Sequence, residues 1–282
     1  MMLRFIVIAG IALFSVAFLL QCCFRFRTSD SEAINDFNTK GLLLRTPSIK
    51  IGNKHIHYAQ IGNDSLPTLL FVHGSPGSWD NFMTYMQDQD LLAKYRMVSV
   101  DRPGFGYSDF GQSLHLQQQS DLISQLIGHL SNGKPLYLIG HSLGGPLVAL
   151  LAADNPKSIN GILVLAGALD PALEPKEKWR PIAAAFPLRY LIPGAFRPSN
   201  QELWYLKQDL YPLKDKLDQI VCDVYIMHGE KDVLVDVKNV DFMKVQFTQA
   251  KSLKDTIWQA ENHFIPWKRF KEIKQVLLIW PK

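Results

Sequence analysis

Cysteine is nearly missing from this chain: three in 282 residues, two of them adjacent at Cys22 and Cys23. That excludes a disulfide framework, and no Cys/His spacing suits a zinc ion. Strong charge of one sign is also missing. The net charge is +4, the basic residues form no stripe and no nucleic-acid motif occurs, so a nucleic-acid partner is not indicated. There is no internal repeat and no low-complexity tract. Nothing implies a metal or an organic cofactor.

Charged residues are wholly lacking from Phe5 to Phe24. Such a run is long enough for the hydrocarbon core of a bilayer, which takes about 20 residues. Arg4 precedes it and Arg25 and Arg27 follow it. A cleavable signal peptide has a shorter apolar region and a small-x-small site, and Leu19-Leu20-Gln21-Cys22-Cys23 offers none. Residues 1–27 therefore predict an N-terminal transmembrane-like helix and a membrane-associated protein. Flanking arginines at both ends leave the side of the membrane undecided. The alternative is a lipoprotein acylated at Cys22, whose box has Leu19 in place but Gln21 where a small residue belongs. Residues 28–41 are polar and predict a solvated tether.

Residues 42–282 suit one α/β unit, since such folds often exceed 200 residues without dividing. Leu42 to Gln60 predicts an antiparallel hairpin around Gly52-Asn53. Strand-like runs at Thr68 to Val72, Arg96 to Val100, Leu136 to Ile139, Gly161 to Ala166, Val224 to Met227 and Thr256 to Ala260 then alternate with helical stretches. That pattern predicts a mostly parallel sheet with helices on both faces. Residues 171–218 interrupt the alternation and predict a small helical cap, cut into short pieces by Pro175, Pro181, Pro187, Pro193 and Pro198. Trp179, Phe186, Tyr190, Leu191, Phe196, Trp204, Tyr205 and Tyr211 are expected mostly to glue this cap to the core, the remainder lining an apolar pocket.

The chemistry is carried by Gly140-His141-Ser142-Leu143-Gly144. It follows the strand-like run Pro135 to Ile139 and precedes the helical run Pro146 to Ala153, so strand, Gly-flanked serine and helix stand in the order a nucleophile elbow needs. The alternative for Ser142 is a helix-start serine in a binding protein without catalysis. A hydroxyl becomes a nucleophile only when a base takes its proton, and the base needs a carboxylate to fix its tautomer. One pair follows in chain order on loops beyond strands: Asp232 after Val224 to Met227, and His263 after Thr256 to Ala260. Glu230 and Asp170 are rival acids. His73 and His228 precede glycines at strand ends and read as packed structural histidines. His141 is expected to point away from Ser142, and His55, His57, His115 and His129 carry no catalytic signal.

Taken together, His73-Gly74-Ser75-Pro76-Gly77, Asp101-Arg102-Pro103-Gly104-Phe105-Gly106-Tyr107-Ser108, the serine elbow, and the Gly229 to Asp232 and Asn262-His263-Phe264 segments resemble the α/β-hydrolases of the esterase, lactonase and C–C hydrolase group. The resemblance runs from about Lys50 onward. It implies an α/β-hydrolase sheet, a Ser142-Asp232-His263 triad with Asp232 at the family's Gly-x-x-Asp spacing, and backbone N–H donors at Ser75 and Leu143 for an oxyanion. It implies an acyl-enzyme route on a small ester-like substrate with an apolar group, with lactone, amide or C–C cleavage as alternatives. Epoxide hydrolases and haloalkane dehalogenases resemble the scaffold but place an aspartate at the elbow, where this chain has Ser142. Prolyl iminopeptidases carry two glycines before the proline where this chain has Gly74-Ser75.

Overall fold

The computed structural model of the protein describes residues 4, 8, 10, 11, 15, 16, 18, 19, 21 and 24–280. Strands β1 (Ser48–Ile51) and β2 (Lys54–Ile61) form the expected hairpin, with Ile51 facing Lys54 across Gly52-Asn53. Then come β3 (Thr68–Val72), β4 (Arg96–Val100), β5 (Leu136–His141), β6 (Gly161–Leu165), β7 (Asp223–Gly229) and β8 (Ser252–Trp258). The described residues form one eight-stranded sheet in the order β1-β2-β4-β3-β5-β6-β7-β8. Pairing is antiparallel at β1 to β2 and β2 to β4 and parallel from β4 onward.

Every residue of β3, β4 and β6 is buried, which is what parallel strands covered on both faces require. Successive side chains alternate between two cores. Leu70 and Val72 of β3 join one apolar cluster, with α2 (Leu116–Leu130), α3 (Gly144–Asp154) and α6 (Asn239–Gln246). Leu69 and Phe71 join the other, with α1 (Asp30–Thr39) and α7 (Phe270–Ile279). Between β6 and β7 the chain leaves the sheet and forms α4 (Arg180–Ala184), a short 3-10 turn at Leu188–Leu191 and α5 (Phe196–Lys214).

Four expectations need correction or comment. Residues 28–41 are not a solvated tether: ten of them form α1, capped by the Ser29 hydroxyl accepting from Glu32 N, and Ala33 and Phe37 are completely buried. Those i,i+4 positions and the partly buried Ile34 face the core, so the average composition looks polar while the inward stripe is apolar. Thr28 is tied down as well, its N–H and hydroxyl both donating to Asp80 Oδ2 at 2.7 Å. Strand β8 starts earlier than Thr256, because its Lys254 and Asp255 lie on a half-solvated edge strand where polar residues are tolerated. The cap aromatics do not mostly act as glue: Trp179, Phe186, Tyr190, Leu191, Phe196 and Tyr211 are exposed, and Leu206, Leu210 and Leu213 of α5 make the buried contact instead.

The transmembrane-like helix finds no support. Among the described residues no helix is long and apolar enough to cross a membrane. Much of Phe5 to Phe24 lies outside the described residues, as does the acylation candidate Cys22.

Phe37→Ala should destabilise the fold by about 3–5 kcal/mol, the usual range for emptying a buried phenylalanine site. Equilibrium chemical denaturation measures this. A loss below about 1 kcal/mol would return residues 28–41 to the status of a tether.

Candidate active site

The turn from β5 into α3 is very tight. Ser142 has φ of +54°, a left-handed conformation unusual for a residue with a side chain. A Cβ on Gly140 would strike the Gly144 carbonyl, and one on Gly144 would strike the Val72 carbonyl of β3. Only glycine permits these approaches, and the result is a serine raised at the carboxyl end of the central strands. Its hydroxyl opens into a cavity of about 620 Å³ that His263, Gly74, Ser75 and Leu143 also line. This volume is typical of a small-molecule site.

Asp232 and His263 meet at this cavity. His263 Nδ1 lies 2.7 Å from Asp232 Oδ2, with both side chains largely buried. The other carboxylate oxygen accepts from the backbone N–H groups of Leu234 at 2.8 Å and Val235 at 2.9 Å. Burial alone would raise the Asp232 pKa, but the hydrogen bonds from His228 and His263, the imidazole charge and the Val235 N–H outweigh it and hold the carboxyl well below the usual carboxylate range. An ionised Asp232 requires Nδ1 of His263 to carry the proton, which leaves Nε2 free as an acceptor. Among the described residues His263 and Ser142 share the cavity without a hydrogen bond between them. Such links commonly close only when substrate binds.

The rival acids are placed elsewhere. Asp170 folds its own loop, accepting from Ala172 N at 2.8 Å, and Glu230 is exposed.

Ser75 and Leu143 have backbone N–H groups that no backbone acceptor uses, and both residues border the cavity next to Ser142. Leu143 precedes the first turn of α3, where N–H groups point outward and the helix dipole favours negative charge. The Ser75 hydroxyl is engaged separately, donating to Ser199 Oγ of α5 at 2.8 Å.

His141 does not simply point away. Its Nε2–H donates to the His263 carbonyl at 3.1 Å, and the two rings lie 4.8 Å apart. Burial, aided by the His263 charge, lowers its pKa to about 3. His73 and His228 are packed as expected. His73 is held far below its ordinary value, by burial first and then by the Arg102 charge, and His228 Nε2–H donates to the Val235 carbonyl at 3.0 Å. His57 pairs with Asp101 at 2.7 Å, a buried dyad that no sequence motif marked. It does not border the cavity.

Several lining residues escaped the sequence reading. Phe26 reaches the cavity from ahead of α1, and Glu174, Glu177 and Arg180 form a polar corner on the cap. Burial, moderated by Lys207, raises the Glu174 carboxyl to about 7. The remaining walls are mostly apolar, from Leu203, Leu206, Leu234 and Trp267 among others, with Asn81 a polar exception. A second cavity, of about 540 Å³, lies beyond the amino ends of β3 and β5, near Thr68, Pro135 and Asn160, and no histidine borders it. Among the described residues no cluster of side chains is arranged to hold a metal.

The buried histidines set a pH dependence. His141 and His73 are neutral in the folded protein but protonate near pH 6.5 when unfolded, so the unfolded state binds more protons below that value. Stability is full above about pH 6.5 and falls as the pH drops towards 3, by about 1.4 kcal/mol per pH unit for each histidine. Denaturation midpoints measured from pH 7.5 to 4.5 should fall accordingly. A flat profile would contradict the neutral, buried assignment.

The family model described as alpha/beta hydrolase fold matches residues 67–193. Epoxide hydrolase 1 of Caenorhabditis elegans is 28% identical over 118 residues, covering 41% of this chain and 28% of that protein. Lipase 1 of Psychrobacter immobilis is 26% identical over 133 residues, covering 46% of this chain and 41% of that protein. The matched stretch is thus well under half the length of these curated relatives. Among solved structures, a bacterial membrane phospholipase A superposes with a TM-score of 0.64 at 20% identity, covering 99% of this chain and 96% of that one. At that identity the likeness speaks for the fold. With this sheet order and this elbow, the chain has the α/β-hydrolase fold, in keeping with the family match over residues 67–193.

Proposed function

We propose that the protein is a serine hydrolase that cleaves a carboxylic ester through an acyl-enzyme, with Ser142 as nucleophile, His263 as base, Asp232 as the acid that orients it, and the Ser75 and Leu143 N–H groups as the oxyanion hole. One observation carries the reading. A left-handed serine at a strand-to-helix turn shares a cavity with an imidazole whose Nδ1 is bound to a buried carboxylate.

His263 Nε2 takes the Ser142 proton as Oγ attacks the carbonyl carbon. Charge then develops on the carbonyl oxygen, which the two backbone donors stabilise; one such donor is worth about 2.7–4 kcal/mol. The protonated imidazole passes its proton to the leaving alcohol, and water repeats the sequence to release the acid. Epoxide opening by an elbow carboxylate is disfavoured, because Ser142 cannot supply one. The mostly apolar walls suit a substrate with an apolar acyl or alcohol group, and the Glu174, Glu177 and Arg180 corner suits a polar end.

The proposal extends to the membrane. The uncharged run Phe5 to Phe24 holds the enzyme there, with acylation at Cys22 as the competing form of attachment. Ile8, Ile11, Phe18 and Leu19 expose apolar side chains, and the cavity-lining Phe26 lies two residues beyond the run.

A fluorophosphonate probe should label Ser142 and no other serine. Labelling that survives Ser142→Ala, or none on folded wild type, overturns the enzyme reading. On p-nitrophenyl esters of rising chain length, Asp232→Asn should lower kcat by about 10⁴, as in the best-studied triad, while Asp170→Asn and Glu230→Gln keep most activity. Lactone and amide controls distinguish the alternatives, since faster turnover of either displaces the ester assignment. For the membrane, the full-length chain should resist carbonate extraction and yield an intact amino-terminal peptide by mass spectrometry. A mature form beginning at lipidated Cys22 replaces the anchor with a lipoprotein, and release of unlipidated soluble protein refutes both.

A further inference from the structure

One buried charge pair joins the cap to the loop that carries the oxyanion donor. Arg102 lies just beyond β4 with its side chain fully buried, and Glu202 of α5 is equally enclosed. They meet as a two-pronged pair: Nη1 to Oε2 at 2.8 Å and Nη2 to Oε1 at 2.9 Å. The rest of the guanidinium is spent on the core. Nε donates to the His73 carbonyl at 2.9 Å, Nη2 to the Gly74 carbonyl at 2.9 Å and Nη1 to Gln119 Oε1 at 3.0 Å. All five N–H donors of the fork are thereby used. The peptide unit whose carbonyl belongs to Gly74 is the one whose N–H belongs to Ser75. That oxygen also accepts from His73 Nδ1 at 2.7 Å, and the two donors together fix the direction of that N–H, because the peptide is planar.

The same helix holds this loop a second time, through Ser199 and the Ser75 hydroxyl at 2.8 Å. Glu202 touches neither the cavity nor Ser142. Its carboxylate also accepts from Gln119 Nε2 at 3.4 Å, but it reaches the oxyanion loop only through Arg102.

We propose that Glu202 is a positioning residue: by holding the Arg102 fork against the Gly74 carbonyl, it makes the aim of the Ser75 N–H, and so the strength of the oxyanion hole, depend on the seating of cap helix α5. The inference rests on the ester-hydrolase reading above. A substrate that shifts α5 on entering the cavity, which Leu203 and Leu206 of the same helix line, then tunes the donor that stabilises the transition state. An unseated cap leaves the nucleophile and base in place but the oxyanion poorly held.

A donor that acts only on the developing oxyanion changes kcat and leaves KM nearly alone. Glu202→Gln should therefore lower kcat on a p-nitrophenyl ester at least tenfold with KM within about threefold, and should weaken a trifluoromethyl ketone inhibitor, which mimics the tetrahedral oxyanion, by a similar factor. The corresponding methyl ketone should bind as before. Glu202→Asp, which keeps the charge, should recover part of both losses and remains informative if Glu202→Gln fails to fold. Asp209→Asn is the control. Asp209 lies on the same helix and ties it to the core through His115 at 2.7 Å and Leu116 N at 3.0 Å, away from the oxyanion loop. It should change kcat and inhibitor binding by less than about threefold.

If Glu202→Gln or Glu202→Asp lowers thermal stability but leaves kcat and trifluoromethyl ketone affinity unchanged, the pair is only structural and the inference is overturned. Equal losses from Asp209→Asn overturn it too, by making cap attachment in general the cause. Wild type without esterase turnover or probe labelling defeats the functional reading itself, an outcome the variants cannot imitate.

Discussion

The close approach of α3 to the carboxyl ends of β3 and β5 is the constraint on which the site depends. It forces the chain through a left-handed Ser142, a conformation costing on the order of 1–3 kcal/mol. It also places Gly144 against the Val72 carbonyl, where no side chain fits. The fold tolerates this because α3 is buried along its whole apolar length, from Leu147 to Ala153. A hydroxyl raised by backbone geometry does not depend on a side-chain rotamer for its exposure. The same turn leaves the Leu143 N–H without a backbone acceptor beside it, so the proposed nucleophile and the proposed oxyanion donor come from one local distortion.

Legibility in the sequence followed the locality of the physics. β3 and β4 could be read to the residue, because strands buried on both faces are short, mostly apolar runs with sharp ends. The Asp232–His263 contact could be read from chain order and loop position. What could not be read was long-range and sparse. In α1 just two fully buried positions, Ala33 and Phe37, make the segment part of the core. Arg102 and Glu202 stand 100 positions apart, and nothing around Glu202 marks it as buried. The exposed cap aromatics show the reverse failure: composition suggested burial, yet short proline-broken pieces present these rings to the outside.

The cap is attached to the core with polar as well as apolar contacts, and this shapes its behaviour. Leu206, Leu210 and Leu213 supply non-directional burial, while Arg102–Glu202, His115–Asp209 and Ser113 donating to the Pro198 carbonyl at 2.7 Å supply direction. A buried ion pair adds little net stability over an apolar pair, because desolvation offsets its Coulomb energy, but it resists misplacement strongly. A cap held this way has one preferred seat. The chain ahead of α1 reinforces that seat: the Ala195 N–H donates to the Phe24 carbonyl at 2.7 Å, Phe26 packs edge-on against Phe196 at 5.1 Å, and Arg27 stacks over Tyr107 at 3.8 Å. Whatever holds residues before Phe24 therefore also bears on the rim of the cavity.

Histidine is common around this site, and environment decides which one can move a proton. His141 is buried with its Nε2–H committed to the His263 carbonyl, and its pKa, lowered to about 3, keeps it neutral near pH 7. His73 donates to the Gly74 carbonyl from Nδ1 and accepts the Arg102 N–H at Nε2, so both its nitrogens are occupied. His228 competes for Asp232, but at 3.3 Å, with its Nε2–H also bound to the Val235 carbonyl and its ring fully buried. His263 has the short bond to Asp232 and also borders the cavity. A proton shuttle needs a carboxylate behind it and a free nitrogen in front. Among these four imidazoles only His263 has both; His141 and His228 brace the loops that carry His263 and Asp232, and His73 braces the loops at Gly74 and Arg102.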